Sequence, residues 1–131
     1  MKYKQNNHRF VWHLLSMPVI YSMTIPLIIL DLWIEIYHRI CFAAYGIPYV
    51  KRGKYIRIDR QKLQYLSFLE KLNCMYCGYA NGLLHYSCVI AGETEKYWCG
   101  IKHQLDGEFC EPEHHEEFIP YGDEEAYKKL A

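Results

Sequence analysis

The chain lacks net charge: 15 Lys and Arg balance 15 Asp and Glu across 131 residues. Neutrality argues against a protein whose main task is coating nucleic acid, which shows a basic excess. Charged residues, at 23%, are too few and apolar residues, at 51%, too many for a disordered chain. No Gly-rich phosphate loop is present, because Gly82 and Gly92 stand isolated, and there is no nucleophile elbow. Tandem repeats and low-complexity tracts are absent too. Six cysteines are too few for a disulfide miniprotein of this length, yet too clustered to be six ordinary core residues.

What is there divides in two. Through Lys62 there are ten Lys/Arg against three acids, Asp31, Glu35 and Asp59. From Leu63 onward there are five Lys/Arg against twelve acids. The basic half also holds the longest apolar run, FVWHLLSMPVIYSMTIPLIIL over residues 10–30, which carries no formal charge. At about 1.5 Å per residue it reaches roughly 30 Å, the thickness of a hydrocarbon core. Pro18 and Pro26 predict a kink, which membrane helices tolerate. The run is longer than a signal-peptide core, and no small-x-small cleavage site follows. It reads as a spanning or re-entrant anchor, with anionic lipid as the partner of the basic half.

Residues 31–41, DLWIEIYHRIC, place Leu32, Trp33, Ile36, Tyr37 and Ile40 on one helical side. Asp31, Glu35, His38 and Arg39 fall mostly on the other, and Glu35 and Arg39 form an i,i+4 pair. This predicts an amphipathic helix at the membrane interface, with Trp33 at headgroup level. Gly46 and Pro48 end it. Residues 49–62 carry six Lys/Arg among fourteen, with a KYIRI alternation that suits a short strand. Lys2, Lys4 and Arg9 precede the anchor and a denser basic group follows it, so the positive-inside rule favours a cytoplasmic carboxyl-terminal domain.

Asp59 is a candidate N-cap for a helix over residues 60–73, striped by Leu63, Leu66, Leu69 and Leu72. Cys74 and Cys77 then form a Cys-x2-Cys pair followed by Gly, a knuckle whose sulfurs converge on one cation. Asn81-Gly82 signals a turn, and residues 83–103 read as helix, broken at Gly92 if a reversal occurs. Cys99 and His103 stand at i and i+4, so one helical face presents sulfur and nitrogen together. Glu93 and Glu95 read as exposed helix acids, unless only three other ligands bind and Glu93, Glu95 or water completes the shell, which reopens the question of an enzyme. His114-His115 reads as a solvated run and Cys41 as a packing residue. The tail from Glu111 is acidic and carries two prolines.

The string CMYCGYANG, with TEKYWCGIKH after it, resembles a family of small uncharacterised bacterial membrane-associated proteins. The stretch IYHRICFAAYGIPYVKRGKYIRIDRQKLQYL is similar to that family as well, so the likeness covers roughly half the chain. It implies a shared site rather than a reaction, at Cys74, Cys77, Cys99 and His103, and a bacterial inner-membrane location. Its ligand roles do not extend to His85, Cys88 or Cys110.

Three ligand sets remain. The first is Cys74, Cys77, Cys99 and His103, which requires a reversal near Gly92 or a second chain. One unbroken helix from Leu83 to Cys99 would separate the pairs by roughly 25 Å. The second is Cys74, Cys77, His85 and Cys88; the third is Cys99, His103, Cys110 and His114. Thiolate with imidazole favours zinc, with iron as the alternative, and four protein ligands imply a structural role.

The expected architecture is mainly α. Residues 1–50 form a membrane anchor and interfacial helix, 51–110 a basic linker and small helical metal-binding domain, and 111–131 an acidic tail. The expected function is that of a membrane-anchored zinc accessory or scaffold protein, leaning away from an enzyme. Its partners are the bilayer and a protein or second copy docking near Tyr76, Tyr79, Tyr97 and Trp98. Two alternatives stand beside it: an iron or iron-sulfur electron-transfer protein, and a dithiol oxidoreductase using Cys74 and Cys77.

Overall fold

The computed structural model describes residues 6–130, so Lys2 and Lys4 of the amino-terminal basic flank lie outside the described residues. The protein is mainly helical, as its patterning predicts, and the KYIRI segment forms no strand. After a 3-10 turn at Asn7–Arg9 come α1 (Phe10–Ser22), α2 (Thr24–Tyr37), a π-helical turn (His38–Phe42) and α3 (Ala43–Tyr45). These follow one another as a single long helix, Phe10–Tyr45. The regular ladder slips at Met23, just before Pro26, whose missing N–H falls in the first turn of α2. Gly46, at φ +70°, supplies the left-handed residue that stops the helix.

The second long helix, α4 (Phe68–Trp98), has 31 residues and runs roughly 46 Å. It does not start at Asp59. Residues 60–62 make only a 3-10 turn, and Ser67 caps α4 in a capping box with Glu70. The Ser67 N–H donates to Glu70 Oε2 at 2.9 Å and the Glu70 N–H to Ser67 Oγ at 3.4 Å. A cap of this kind stabilises a helix start by about 1 kcal/mol. Leu69 and Leu72, expected on a buried stripe, are exposed instead.

The two long helices run side by side and parallel. Tyr21 bonds Asn73, Tyr79 bonds Asp31, Tyr86 bonds Glu35 and Tyr37 bonds Thr94, with separations of 48 to 57 positions. Tyr45 stacks on Tyr97 with ring centroids 5.1 Å apart. A parallel pair needs a return crossing, and residues 46–67 provide it. The Val50 N–H meets His38, Arg52 meets Asp31, and the backbone at Tyr55 to Arg57 lies against Gly82 and then Gly78. A Cβ on Gly78 would stand 2.7 Å from the Arg57 carbonyl oxygen, and one on Gly82 would stand 2.8 Å from Ile56 Cα. Asn81-Gly82 is therefore a mid-helix contact rather than a turn: the glycine lets a second backbone approach.

The core gathers Leu27 and Phe42 from the first helix with Ala80, Leu83, Tyr86 and Ile90 from α4, sealed by Val50, Tyr55 and Ile56 of the crossing. Residues from both sides of position 50 thus share one core. Segment 31–42 is amphipathic as expected, but its polar side faces inward. Asp31 accepts from Arg52 and from Tyr79 at 2.9 Å, and Glu35 accepts from Tyr86 at 3.0 Å. His38 is fully buried. Its Nε2 accepts the Val50 N–H at 3.1 Å, so in the neutral ring Nδ1–H donates to Tyr86 at 2.9 Å. The π-helical turn brings His38 and Phe42 inward together.

The apolar side faces out. Leu32, Trp33 and Ile40 are exposed, as are Val11, Trp12, Leu15, Val19, Ile25 and Ile29 below them. The most apolar window of the Phe10–Tyr45 helix is 6% buried, so the rest of the chain does not wrap it. This helix is long and apolar enough to cross a membrane. Its first turns, residues 10–15, extend past the start of α4, whose exposed Phe68 and Leu69 join the same apolar end.

Candidate metal centre

Among the described residues, the far end of α4 carries a cluster of three ligating groups. Gly100, at φ +66°, ends the helix after the Cys99 N–H has bonded the Glu95 carbonyl at 2.8 Å. The chain leaves through Ile101 and returns at Ile119 in an isolated parallel bridge. The Lys102 N–H donates to the Ile119 carbonyl at 2.8 Å, and the Ile119 N–H to that of Gly100 at 2.9 Å. This pin closes a loop that folds back on α4. Pro112 precedes a 3-10 turn, Glu113–His115, which lays His114 over Gly92. A Cβ on Gly92 would stand 3.1 Å from the His114 ring, tight enough that the ring would have to shift by a few tenths of an ångström.

Glu95 lies at the centre. Its Oε2 contacts His114 Nε2 at 2.8 Å and its Oε1 contacts His115 Nε2 at 3.2 Å. The hydrogen bond from His114 holds the Glu95 carboxyl below its ordinary range, with burial opposing and His115 adding to the effect. His115 is 1% exposed and stacks on buried Phe118 at 4.6 Å. Its Nδ1 is buried and has no hydrogen-bond partner. His103 approaches from the other limb of the loop, its ring centroid 5.6 Å from that of His115. One ligand atom each from Glu95, His103 and His115 lie within 4.8 Å of one another.

Tetrahedral zinc with bonds near 2.0–2.1 Å sets its ligands about 3.3 Å apart, so the three groups must close by roughly an ångström. Exposed His103 is free to make that move. His115 meets the Glu95 carboxylate through Nε2, so that nitrogen and a carboxylate oxygen are the pair already facing one another, while Nδ1 lies buried and unpartnered on the other side of the ring. Two imidazoles and a carboxylate also match the borderline hardness of zinc and iron(II).

The cysteines are placed differently from the expectation. Cys74 and Cys77 sit inside α4, half-buried and exposed respectively, and form no knuckle. Since α4 passes Gly92 without a break, Cys77 and Cys99 are 22 residues of helix apart, roughly 33 Å. Cys74, Cys77, Cys99 and His103 are therefore not brought together within one chain. The second set fails to converge for the same reason, with Cys77 and Cys88 roughly 16 Å apart along the axis. Of the third set, His103 and His114 come to the Glu95 cluster, while Cys99 and Cys110 are exposed and His114 bonds the carboxylate. Cys41 is half-buried.

Sequence reasoning kept Glu95 only as an acid to complete a three-ligand shell and read His115 as solvated. One signal was available: Gly92 and Glu95 lie a turn apart on α4, a bare seat followed by an acid, with paired histidines in the tail. Of the aromatic docking residues, Tyr76 packs on Tyr21 and Tyr79 bonds Asp31, whereas Tyr97 and Trp98 remain exposed beside Tyr45. Comparison with family models, curated proteins and solved structures finds no match.

Proposed function

We propose that this chain is a membrane-anchored accessory protein of the bacterial inner membrane that holds zinc among Glu95, His103 and His115. The carrying observation is that one ligand atom each from Glu95, His103 and His115 lie within 4.8 Å of one another at the end of α4. Three protein ligands leave the fourth position to water, and the metal's role in this reading is to tie the loop closed by Ile101 and Ile119 to the end of α4, where few apolar side chains are buried. The apolar outer side of the Phe10–Tyr45 helix supports a bilayer location. The denser basic group after it supports a cytoplasmic site for the loop. Tyr45, Tyr97 and Trp98 form the exposed aromatic patch available to a protein partner or second copy.

The donor set favours iron(II) as a second reading, because two histidines and one carboxylate with open positions suit non-haem iron. Elemental analysis of detergent-purified protein separates the two. Zinc near one per chain in a colourless preparation supports the first reading, and iron supports the second. The His103→Ala/His115→Ala pair should lose the metal while Cys74→Ser/Cys77→Ser keeps it. Loss in the cysteine pair alone would overturn the site and return the thiolate set shared between two chains. Native protein without metal would overturn both readings.

A further inference from the structure

A second site lies half-way down α4, where the return crossing meets the helix. The crossing carries Lys51, Arg52, Lys54, Arg57, Arg60 and Lys62, and only Arg52 is spent on acids, Asp31 and Glu35. Among the described residues Lys54, Arg57 and Arg60 make no ion pair, yet all three line one groove of about 360 Å³. Its opposite wall is α4, through Cys77, Gly78, Asn81, Gly82 and His85. No acid lines it. Gly78 and Gly82 press the crossing's backbone onto the helix, which fixes where these basic side chains emerge. Holding three cations around one concavity without a counter-charge is unfavourable, and an anion reverses the sign of that term.

The groove's level along the fold selects the anion. Tyr79, one residue from Gly78, bonds Asp31, the first charged residue after the uncharged run of residues 10–30. The three cations therefore stand beside the end of the apolar segment, where a bilayer presents its phosphates. We propose that this groove binds a phosphate ester, with Arg57 and Arg60 contacting its oxygens by charge-assisted hydrogen bonds and Lys54 supplying a third positive charge. The Asn81 side chain, whose amide donates to the Cys77 carbonyl at 2.9 Å, closes the helix side. The same chemistry is offered by an anionic phospholipid headgroup and by a soluble phosphate compound.

Thermal melting of the full chain in neutral detergent distinguishes the sources. The probes are short-chain phosphatidylglycerol, a phosphate-free glycolipid and inorganic phosphate. A rise with phosphatidylglycerol but not glycolipid, weakened about tenfold or more in half-saturation by Arg57→Gln/Arg60→Gln, assigns a lipid headgroup. A rise with inorganic phosphate, weakened by the same pair, assigns a soluble phosphate. The comparison variant is Lys128→Gln/Lys129→Gln, which removes equal charge far along the chain. An equal loss there would reduce the effect to overall charge and overturn the site. A response unchanged in the arginine pair, or no response to either phosphate probe, would overturn it too. Helicity and metal content of the arginine pair, measured alongside, confirm that the fold is kept.

Discussion

The ring of His114 rests on the bare backbone of Gly92, at a distance that a methyl group would reduce to 3.1 Å. That seat aligns His114 with one oxygen of Glu95 and leaves His115 the other. A valine at position 92 would force the Glu113–His115 turn away from α4. Gly92→Val should therefore lower metal affinity and speed proteolysis within residues 103–118, with the helicity of α4 retained. Unchanged metal binding in this variant would mean that the turn does not position the ligands.

Tyr86 bridges His38 and Glu35 from inside the core. Tyr86→Phe keeps the ring but leaves the His38 Nδ1–H and a Glu35 oxygen without that partner. Stranding a buried polar group costs about 1–3 kcal/mol, so denaturant unfolding in detergent should show a loss of that size. His38→Ala should cost more, because it also removes a packed ring between Phe42 and Tyr49.

The Tyr79 hydroxyl gives the helix pair an alkaline limit. Burial and its hydrogen bond to Asp31 push its pKa up from 10.0 to about 12. A group raised in the folded state stabilises fully below its unfolded pKa and loses that contribution as pH rises through the folded one. The Asp31–Tyr79 tie should therefore weaken between pH 10 and about 12. Tyrosinate absorbance should show a late-titrating group that Tyr79→Phe removes, together with the matching slope in stability.

Trp12 and Trp33 are exposed on the long amino-terminal helix, and Trp98 is exposed at the end of α4 beside the loop. In vesicles containing brominated acyl chains, the fluorescence of Trp12, inside the uncharged run, should be quenched strongly, that of Trp33, just past Asp31, less, and that of Trp98 weakly. Single-tryptophan variants make the assignment. Equal, weak quenching at all three positions would count against a bilayer-embedded helix.

Much of the helical architecture is legible from local signals. The 36-residue helix Phe10–Tyr45 follows from the uncharged run and the amphipathic segment after it, and Gly46 marks its end. The start of α4 was legible too, in Ser67 and Glu70, but Asp59 offers a competing cap eight residues earlier and carries no reciprocal partner. The isolated glycines misled for a definite reason. A glycine within a helical pattern signals a break or a close approach, and only the partner backbone decides between them. At Gly78 and Gly82 the partner is the return crossing, and at Gly92 it is His114.

By itself the sequence determined that the chain is mainly helical, that its longest apolar run is helix with a kink expected at its prolines, and that ligating side chains crowd the carboxyl-terminal half. Those properties rest on periodicity, capping and length, which act between near neighbours. Which side of residues 31–42 turns inward, and which groups meet at the end of α4, required the tertiary structure. The parallel pairing of two long helices and the loop pinned at Ile101 and Ile119 bring together residues far apart in sequence. Along an unbroken helix, conversely, Cys77 and Cys99 can only be held apart.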